Sequence, residues 1–343
     1  MKKMWILLSI LLSLCLTSCQ APVSRYDGQE ATVDIFAMNT YMTLTVYGEN
    51  AQEALARSRE RIQQVEKLWS VTDEDSDIFR ANHSGGQTVS VSAETADLLA
   101  FALEMAQKTG GTLDPTIYPV LTAWGFTTDT KQIPSQQEIS ALLPYVGYNR
   151  IQLDGTNLTV PDGMQLDLGA VGKGYAADLV TEILKEYGVT SALLSLGGNI
   201  QAVGSRPDGN PWRIGIQAPW EDGYLGILQI RDAAVVTSGG YENYFQDEEG
   251  NIYWHILDPS TGYPADSGLQ SVTIIGREGR LCDSLSTSLF VMGAEKAETY
   301  WRENGDFDML LLTDDGEVIV TEGIADDFSL SDGQEKTIRV LER

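Results

Sequence analysis

The chain has 343 residues, with 23 Lys and Arg against 49 Asp and Glu, for a formal net charge of −26. So acidic a surface excludes nucleic acid and an anionic bilayer as electrostatic partners, and an anionic substrate then needs local positive charge or a metal ion. Ordinary hydrophobicity over this length allows one large domain or two intimate lobes, and the 3 cysteines are too few for a disulfide framework.

Lys2 and Lys3 precede an apolar run over 4–16 and the stretch Leu16-Thr17-Ser18-Cys19. These are the charged, apolar and small-residue parts of a secretory signal over 1–18, and the run is too short for a spanning helix. The Leu-x-Ser-Cys ending resembles a bacterial lipoprotein signal. That implies cleavage before Cys19, lipidation of Cys19 (palmitate among the chains), and a membrane-anchored protein facing outside the cytoplasm. An ordinary signal with an incidental cysteine is the alternative. With Cys15 removed and Cys19 acylated, Cys282 has no disulfide partner, and a hydrophobic core has to hold the fold. Residues 19–30 read as a polar tether and residues 31–343 as the folded domain.

Within 31–48 the alternation at Val33 and Ile35, then Met42, Leu44 and Val46, predicts two strands meeting at Met38-Asn39-Thr40. Residues 51–69 carry Leu55, Ile62, Val65, Leu68 and Trp69 on one stripe, an amphipathic helix. A second helix is predicted over 92–110, capped by Ser92 and stopped by Gly110-Gly111, with the polar turn Asp114-Pro115-Thr116 straight after. A hairpin at 146–160 comes next, then a Gly-rich turn that leads into a helix over 175–187. Strands are expected at 192–196, 212–217, 225–230, 234–237, 253–257 and 271–275. Helices follow at 282–292 and 294–304, and a hairpin of 309–312 with 318–321 closes the chain. Strands run in blocks and do not alternate strictly with helices, which predicts an α+β fold with mixed, largely antiparallel sheets and packed helices.

Two segments carry most of the chemistry. In Leu166-Asp167-Leu168-Gly169-Ala170-Val171-Gly172-Lys173-Gly174-Tyr175, amides opening a helix and one lysine can hold phosphate oxygens, and glycines permit close backbone approach. The match to a dinucleotide fingerprint weakens one strand later, where Gly197-Gly198-Asn199 stands in place of a ribose-binding acid; a Walker loop fails because Gly174 follows the lysine. A tight turn with a solvated lysine is the plain alternative. In Cys282-Asp283-Ser284-Leu285-Ser286-Thr287, Asp283 and Thr287 share one helix face, and the apolar neighbours Leu285, Leu289 and Phe290 bury that helix, so its polar groups need partners. Oxygen ligands without a Cys/His cluster point to Mg²⁺, with hydrogen bonds to a loop as the bland reading. His255, just before Asp258-Pro259, is placed to act as a general base or to brace a loop. His83 reads as solvated, and Trp124 as core.

In order, these segments resemble the FAD:protein FMN transferases, the ApbE-like flavin transferases. Met38-Asn39-Thr40 is similar to that family's Met-Gly-Thr, with Asn at the Gly position. Residues 76–82 resemble its Ser-Glu-Ile-Ser-Arg-Leu-Asn region, departing at Phe79 and Ala81. Gly111-Thr112-Leu113-Asp114-Pro115-Thr116 with Trp124-Gly125-Phe126 is similar to its flavin-site segment, and Asp167 to Gly174 is the most specific match. Leu196-Gly197-Gly198-Asn199, Thr237-Ser238-Gly239, His255 to Gly262 and Asp283 to Thr287 complete the set. The resemblance implies Mg²⁺ held by Asp283, Thr287 and the carbonyl of Ala170. It implies FAD, as substrate, near Met38, Thr72, Thr112, Leu113, Asp114, Asp167, Lys173 and Leu257. The reaction implied is attack by a Thr or Ser hydroxyl of an extracytoplasmic acceptor protein on the FMN phosphorus of FAD, releasing AMP. His255 is the expected base, with Asp258 as its orienting partner. A Mg²⁺-dependent FAD pyrophosphatase and a non-enzymatic FAD-binding lipoprotein use the same residues and stay open on sequence alone.

Overall fold

The computed structural model describes residues 29–128 and 130–343. The expected signal peptide, Cys19 and the expected tether up to residue 28 lie outside the described residues.

β1 (Glu30–Ala37) and β2 (Thr40–Tyr47) form the expected hairpin, with Ala37 opposite Thr40. Its two-residue turn sets Met38 at φ 50° and Asn39 at φ 58°, the paired left-handed conformation whose twist matches that of the strands. Asn tolerates this region because its short polar side chain bonds locally; Met38 does so at a cost, and its N–H donates to Glu66 Oε1 at 2.7 Å. Glu66 belongs to α1 (Ala51–Trp69), which buries Leu55, Ile62, Val65 and Trp69. After α2 (Asp77–Asn82) and β3 (Thr88–Ser90), α3 (Ala93–Lys108) starts at Ser92, whose hydroxyl accepts the Thr95 N–H. α4 (Tyr118–Ala123), α5 (Gln136–Leu142), β4 (Gln152–Asp154) and β5 (Asn157–Thr159) follow, and β3, β5 and β4 make a small sheet. The expected hairpin at 146–160 is therefore confined to 152–159.

α6 (Gly169–Glu186) differs from expectation, because the helix starts at Gly169 and absorbs the Gly-rich segment that was read as a turn before residue 175. β6 (Ser191–Leu196) and β7 (Asn199–Gly204) join through Gly197-Gly198, both at positive φ. β8 (Trp212–Gln217), β9 (Tyr224–Ile230), β10 (Ala234–Gly239), β11 (Tyr244–Gln246), β12 (Ile252–Trp254) and β13 (Leu269–Gly276) come next. β12 stops at Trp254, so His255 and Leu257 lie beyond it and not on the strand expected over 253–257. α7 (Gly279–Met292) and α8 (Ala294–Asn304) precede β14 (Asp308–Thr313) and β15 (Glu317–Thr321). That hairpin does not close the chain. β16 (Phe328–Leu330) joins β9, and β17 (Thr337–Leu341) pairs in parallel with β15.

The main sheet runs β1-β2-β6-β7-β10-β13-β14-β15-β17, antiparallel throughout except at its last pair. Both faces are covered. Along β14, Met309 and Leu311 enter the core shared with α1, α6 and α7, whereas Leu310 and Leu312 enter a second core against β16-β9-β8. A strand buried on both faces reads as an unbroken apolar run, because neither side of the pleat meets water. The result is an α+β architecture of helices, sheet and a smaller sheet.

α6 and α7 pack at their glycines. A Cβ on Gly174 would lie 2.2 Å from the Gly279 carbonyl oxygen and 2.7 Å from Asp283 Cβ. The same addition at Gly172 would meet only Trp69 Cε3, at 3.8 Å. Gly174→Ala should therefore destabilise the protein by about 1–3 kcal/mol through overpacking. Gly172→Ala should be neutral or gain roughly 0.5–1 kcal/mol from helix propensity. Chemical denaturation of the two variants checks this, and equal midpoints would refute the packing role of Gly174.

Candidate active site

A cavity of about 1350 Å³ opens where one end of the sheet meets the start of α6. That exceeds the roughly 300–1,000 Å³ usual for small-ligand pockets and leaves room for a dinucleotide beside a second group. The two hairpin turns, Met38-Asn39-Thr40 and Gly197-Gly198-Asn199, form one wall with Thr237 and Ser238 from β10. They lie side by side: a Cβ on Gly197 would fall 2.5 Å from Thr40 Oγ1, so only glycine lets the turns touch. The rest of the wall includes residues of the 112–117 loop, Phe126 to Thr128 with Lys131, Tyr241 to Asn243, and His255 to Leu257 with Pro259.

Of the residues expected at the site, Met38, Thr112, Leu113, Asp114, Asp167, Ala170, Lys173, His255, Leu257, Asp283 and Thr287 all line this cavity. Thr72 does not. It is exposed, and its N–H donates to the Ser70 hydroxyl at 3.2 Å in a local turn. Asp258 is also absent from the lining; its Oδ1 accepts from the Ser260 N–H at 2.8 Å and the Ser260 hydroxyl at 2.7 Å. The orienting role expected of Asp258 passes instead to the backbone carbonyl of Asn243, 3.2 Å from His255 Nδ1.

A carbonyl only accepts, so this contact puts the proton on Nδ1 and leaves the Nε2 lone pair free. Burial, with the nearby cations Lys173 and Lys131 adding to it, lowers the His255 pKa to about 4. The imidazole is thus neutral at physiological pH. Asp114 is occupied structurally: Oδ1 accepts from the Thr116 N–H and hydroxyl, and Oδ2 from the Tyr148 N–H. Asp167 Oδ1 accepts the Gly169 N–H at 2.6 Å, fixing the first turn of α6, and burial raises its pKa.

Asp283, 4% exposed, accepts the Gly174 N–H at 2.8 Å on Oδ2 and holds Oδ1 3.8 Å from Lys173 Nζ. The ordinary helical acceptor of that N–H is the carbonyl of Ala170, so the carboxylate competes for the same proton. Ser238 Oγ lies 2.8 Å from Ser286 Oγ and 3.3 Å from Thr287 Oγ1, which fixes the hydroxyl face of α7. Asp178 on α6 completes the frame. Its two oxygens accept the N–H groups of Gly279 and Arg280, so α7 is capped by its neighbour, and burial raises the Asp178 pKa to about 6. One carboxylate, one hydroxyl and one carbonyl suit a hard cation that keeps water or phosphate oxygens in its remaining positions. Among the described residues no cluster of His, Cys, Asp and Glu offers an alternative. Lys131 and Lys173 share the lining with Asp283 and with Asp114, Asp167 and Glu242, and burial raises the pKa of the last three, that of Glu242 to about 7. Asn199 Nδ2 is a further buried donor lacking a partner, open to a ligand acceptor.

Tyr241, Glu242, Asn243 and Lys131 escaped the sequence reading. The first three immediately follow the Thr237-Ser238-Gly239 match and Gly240, so asking where that strand's exit leads would have found them.

A cavity that joins a helix N-terminus, Lys173 and a neutral imidazole has the chemistry to receive a phosphorylated ligand. The chain belongs to the ApbE family, whose model matches residues 38–311. The FAD:protein FMN transferase of Klebsiella pneumoniae (strain 342) is 34% identical over 302 residues, spanning 86% of this chain and 93% of its own. The ApbE protein crystal structure from Thermotoga maritima superposes with a TM-score of 0.78 at 32% identity, covering 89% of this chain and 97% of that one. The apo flavinyl transferase ApbE of Pseudomonas stutzeri gives 0.74 at 31% identity, over 83% and 91%.

If Asp283 and Thr287 hold a metal, Mg²⁺ added with FAD should raise the Tm of the parent protein by mass action. Asp283→Ala should remove that rise by deleting the one charged ligand. A variant that keeps the parent's Mg²⁺-dependent shift would dismiss the assignment.

Proposed function

We propose that this protein transfers FMN from FAD to a Thr or Ser hydroxyl of an acceptor protein, using Mg²⁺, on the outer side of a membrane to which Cys19 anchors it. The observation that carries the chemistry is a neutral histidine with its Nε2 lone pair free, in the same cavity as Lys173, Asp283 and the start of α6. The FAD diphosphate binds against the α6 N-terminus and Lys173, where partial and full positive charge converge. Asp283, Thr287 and the Ala170 carbonyl would hold Mg²⁺, which would supply charge neutralisation for the diphosphate. His255 Nε2 takes the proton of the acceptor hydroxyl as its oxygen bonds to the FMN phosphorus. The bond from that phosphorus to the bridging oxygen breaks, and AMP leaves with the bridging oxygen. Such a reaction needs positioning and charge neutralisation more than covalent help from the protein.

Incubation with FAD, Mg²⁺ and extracytoplasmic redox proteins tests the reading. Protein-bound FMN supports it, and free FMN with AMP, or unchanged FAD, defeats it. Removing the base sharpens the test: His255→Ala should lower single-turnover transfer by roughly 10²–10⁴-fold with FAD affinity little changed. The pH profile carries a sign. The reactive form of His255 is neutral, so activity is full above its pKa and falls as pH drops through about 4. Transfer should then be flat over about pH 5–7, where an ordinary histidine would halve it near 6.5. An acid limb near 6.5 would remove His255 as the base.

No helix among the described residues is long and apolar enough to cross a membrane, and lipidation of Cys19 would supply an attachment of its own. Cys19→Ser should release the protein from the membrane fraction or leave it unprocessed. Recovery of a processed, membrane-bound variant would refute the anchor.

A further inference from the structure

The two edges of the main sheet are defended differently. β1, at one edge, carries Glu30 and Asp34 exposed and no Lys or Arg over 30–37, so a second β1 laid against it would meet acid with acid. β17, at the other edge, pairs with β15 on one side and with no strand of the described residues on the other. Its outer N–H and C=O groups are therefore open to another strand. The side chains do not blunt this edge. Ile338 is 39% exposed and Val340 46%, both on one face of the strand. Arg339, the one charged residue within Thr337–Leu341, is turned to the other face, where its guanidinium donates to Glu298 Oε1 at 2.6 Å and to Glu317 Oε1 at 3.2 Å.

The sequence around β17 matches itself in reverse. When two copies continue one sheet about a two-fold axis perpendicular to it, residues of the same face stand opposite each other, so the axis passes through a residue and not between two. With the axis at Arg339, Ile338 stands opposite Val340 of the second copy, Lys336 opposite Glu342, and Glu335 opposite Arg343. Each of these pairs is complementary, and symmetry makes each occur twice. The arginines that meet on the axis each bring two carboxylates, so their charge is already compensated. Moving the axis to Ile338 sets Lys336 against Val340, and moving it to Val340 sets Ile338 against Glu342. One register is thus singled out.

We propose that β17 is the interface through which two copies of this chain dimerise, by antiparallel pairing about Arg339 that continues the main sheet from one copy into the next. The net charge of −26 opposes approach at long range, but screening over about 8 Å at physiological salt leaves the matched contacts at the edge to decide. β17 lies four places along the sheet from β10, the strand that brings Thr237 and Ser238 to the cavity, so both cavities stay open. Dimerisation is accordingly independent of which reaction the cavity performs.

Sedimentation velocity of the full chain over a wide range of concentration reads the dimer directly, and the parent should pass from monomer to dimer as concentration rises. Val340→Lys sets a lysine against Ile338 of each opposite copy and should abolish the dimer. Lys336→Glu and Glu342→Lys each place like charges across the axis, and each should raise the dimer Kd about tenfold. Combining the two restores opposite charges with the signs exchanged, and should return Kd to within about threefold of the parent. Within one chain the two positions lie at opposite ends of β17, roughly 20 Å apart, so this rescue cannot arise inside a monomer. FAD affinity should be unchanged in every variant, which also shows that each is folded. A parent that stays monomeric throughout, a dimer that survives Val340→Lys, single reversals without effect, or single reversals that the double variant fails to rescue would each overturn the interface.

Discussion

The site depends on two helices touching through their glycines. Gly174 of α6 and Gly279 of α7 come so close that neither tolerates a Cβ, and this contact brings Asp283 within 2.8 Å of the Gly174 N–H. α6 brings the Ala170 carbonyl and Lys173, and α7 brings Asp283 and Thr287, so the interaxial distance sets how the prospective ligands face one another. Asp178 locks the same pair by capping α7 from α6. Behind both helices the sheet is packed on both faces, so neither helix can slide without opening a core.

Within this frame Lys173 answers two electrostatic problems. A chain of charge −26 has to admit an anionic substrate, and the lysine puts positive charge where α6 begins. The same cation, after burial, is the next cause of the lowered pKa of His255, which keeps the imidazole in its proton-accepting form. In the proposed reaction, charge compensation for the diphosphate and the neutral state of His255 would both draw on this one side chain, held by Asp283 Oδ1 at 3.8 Å and the Gly169 carbonyl at 3.3 Å.

Much of this was legible in the sequence where local signals and tertiary needs agree. The β1–β2 hairpin, α1 and the Ser92 cap of α3 follow from period, turn chemistry and capping alone. The Gly-rich segment was misread as a turn because a glycine that opens a turn and one that lets helices touch look alike in sequence. Only Gly279, far along the chain, decides between them. β7 was missed because Gln201, 3% exposed, breaks the apolar alternation that its burial would otherwise show. β17 was missed because it adds in parallel at the sheet edge after a polar stretch, where no hairpin signal exists. At the site, residue types could be read but partners could not: Asp258 sits near His255 in sequence, yet its oxygens are taken by Ser260, and the imidazole turns to a carbonyl twelve residues earlier.

The two walls of the cavity differ in how they are supported. The wall of hairpin turns, β10 and α6–α7 is tied into buried layers, which suits a ligand whose phosphates need fixed dipoles and a fixed metal geometry. The loop wall at 241–243 and 255–259 hangs on a two-stranded ribbon, β11–β12, and on an aromatic cluster around Trp124, whose Nε1 donates to the Gly262 carbonyl at 2.8 Å. This wall holds His255 at two points, because the Asn243 carbonyl accepts from both the backbone N–H and the ring of that residue. The orientation of His255 is therefore set by the residue just before β11, on the loop wall of the cavity.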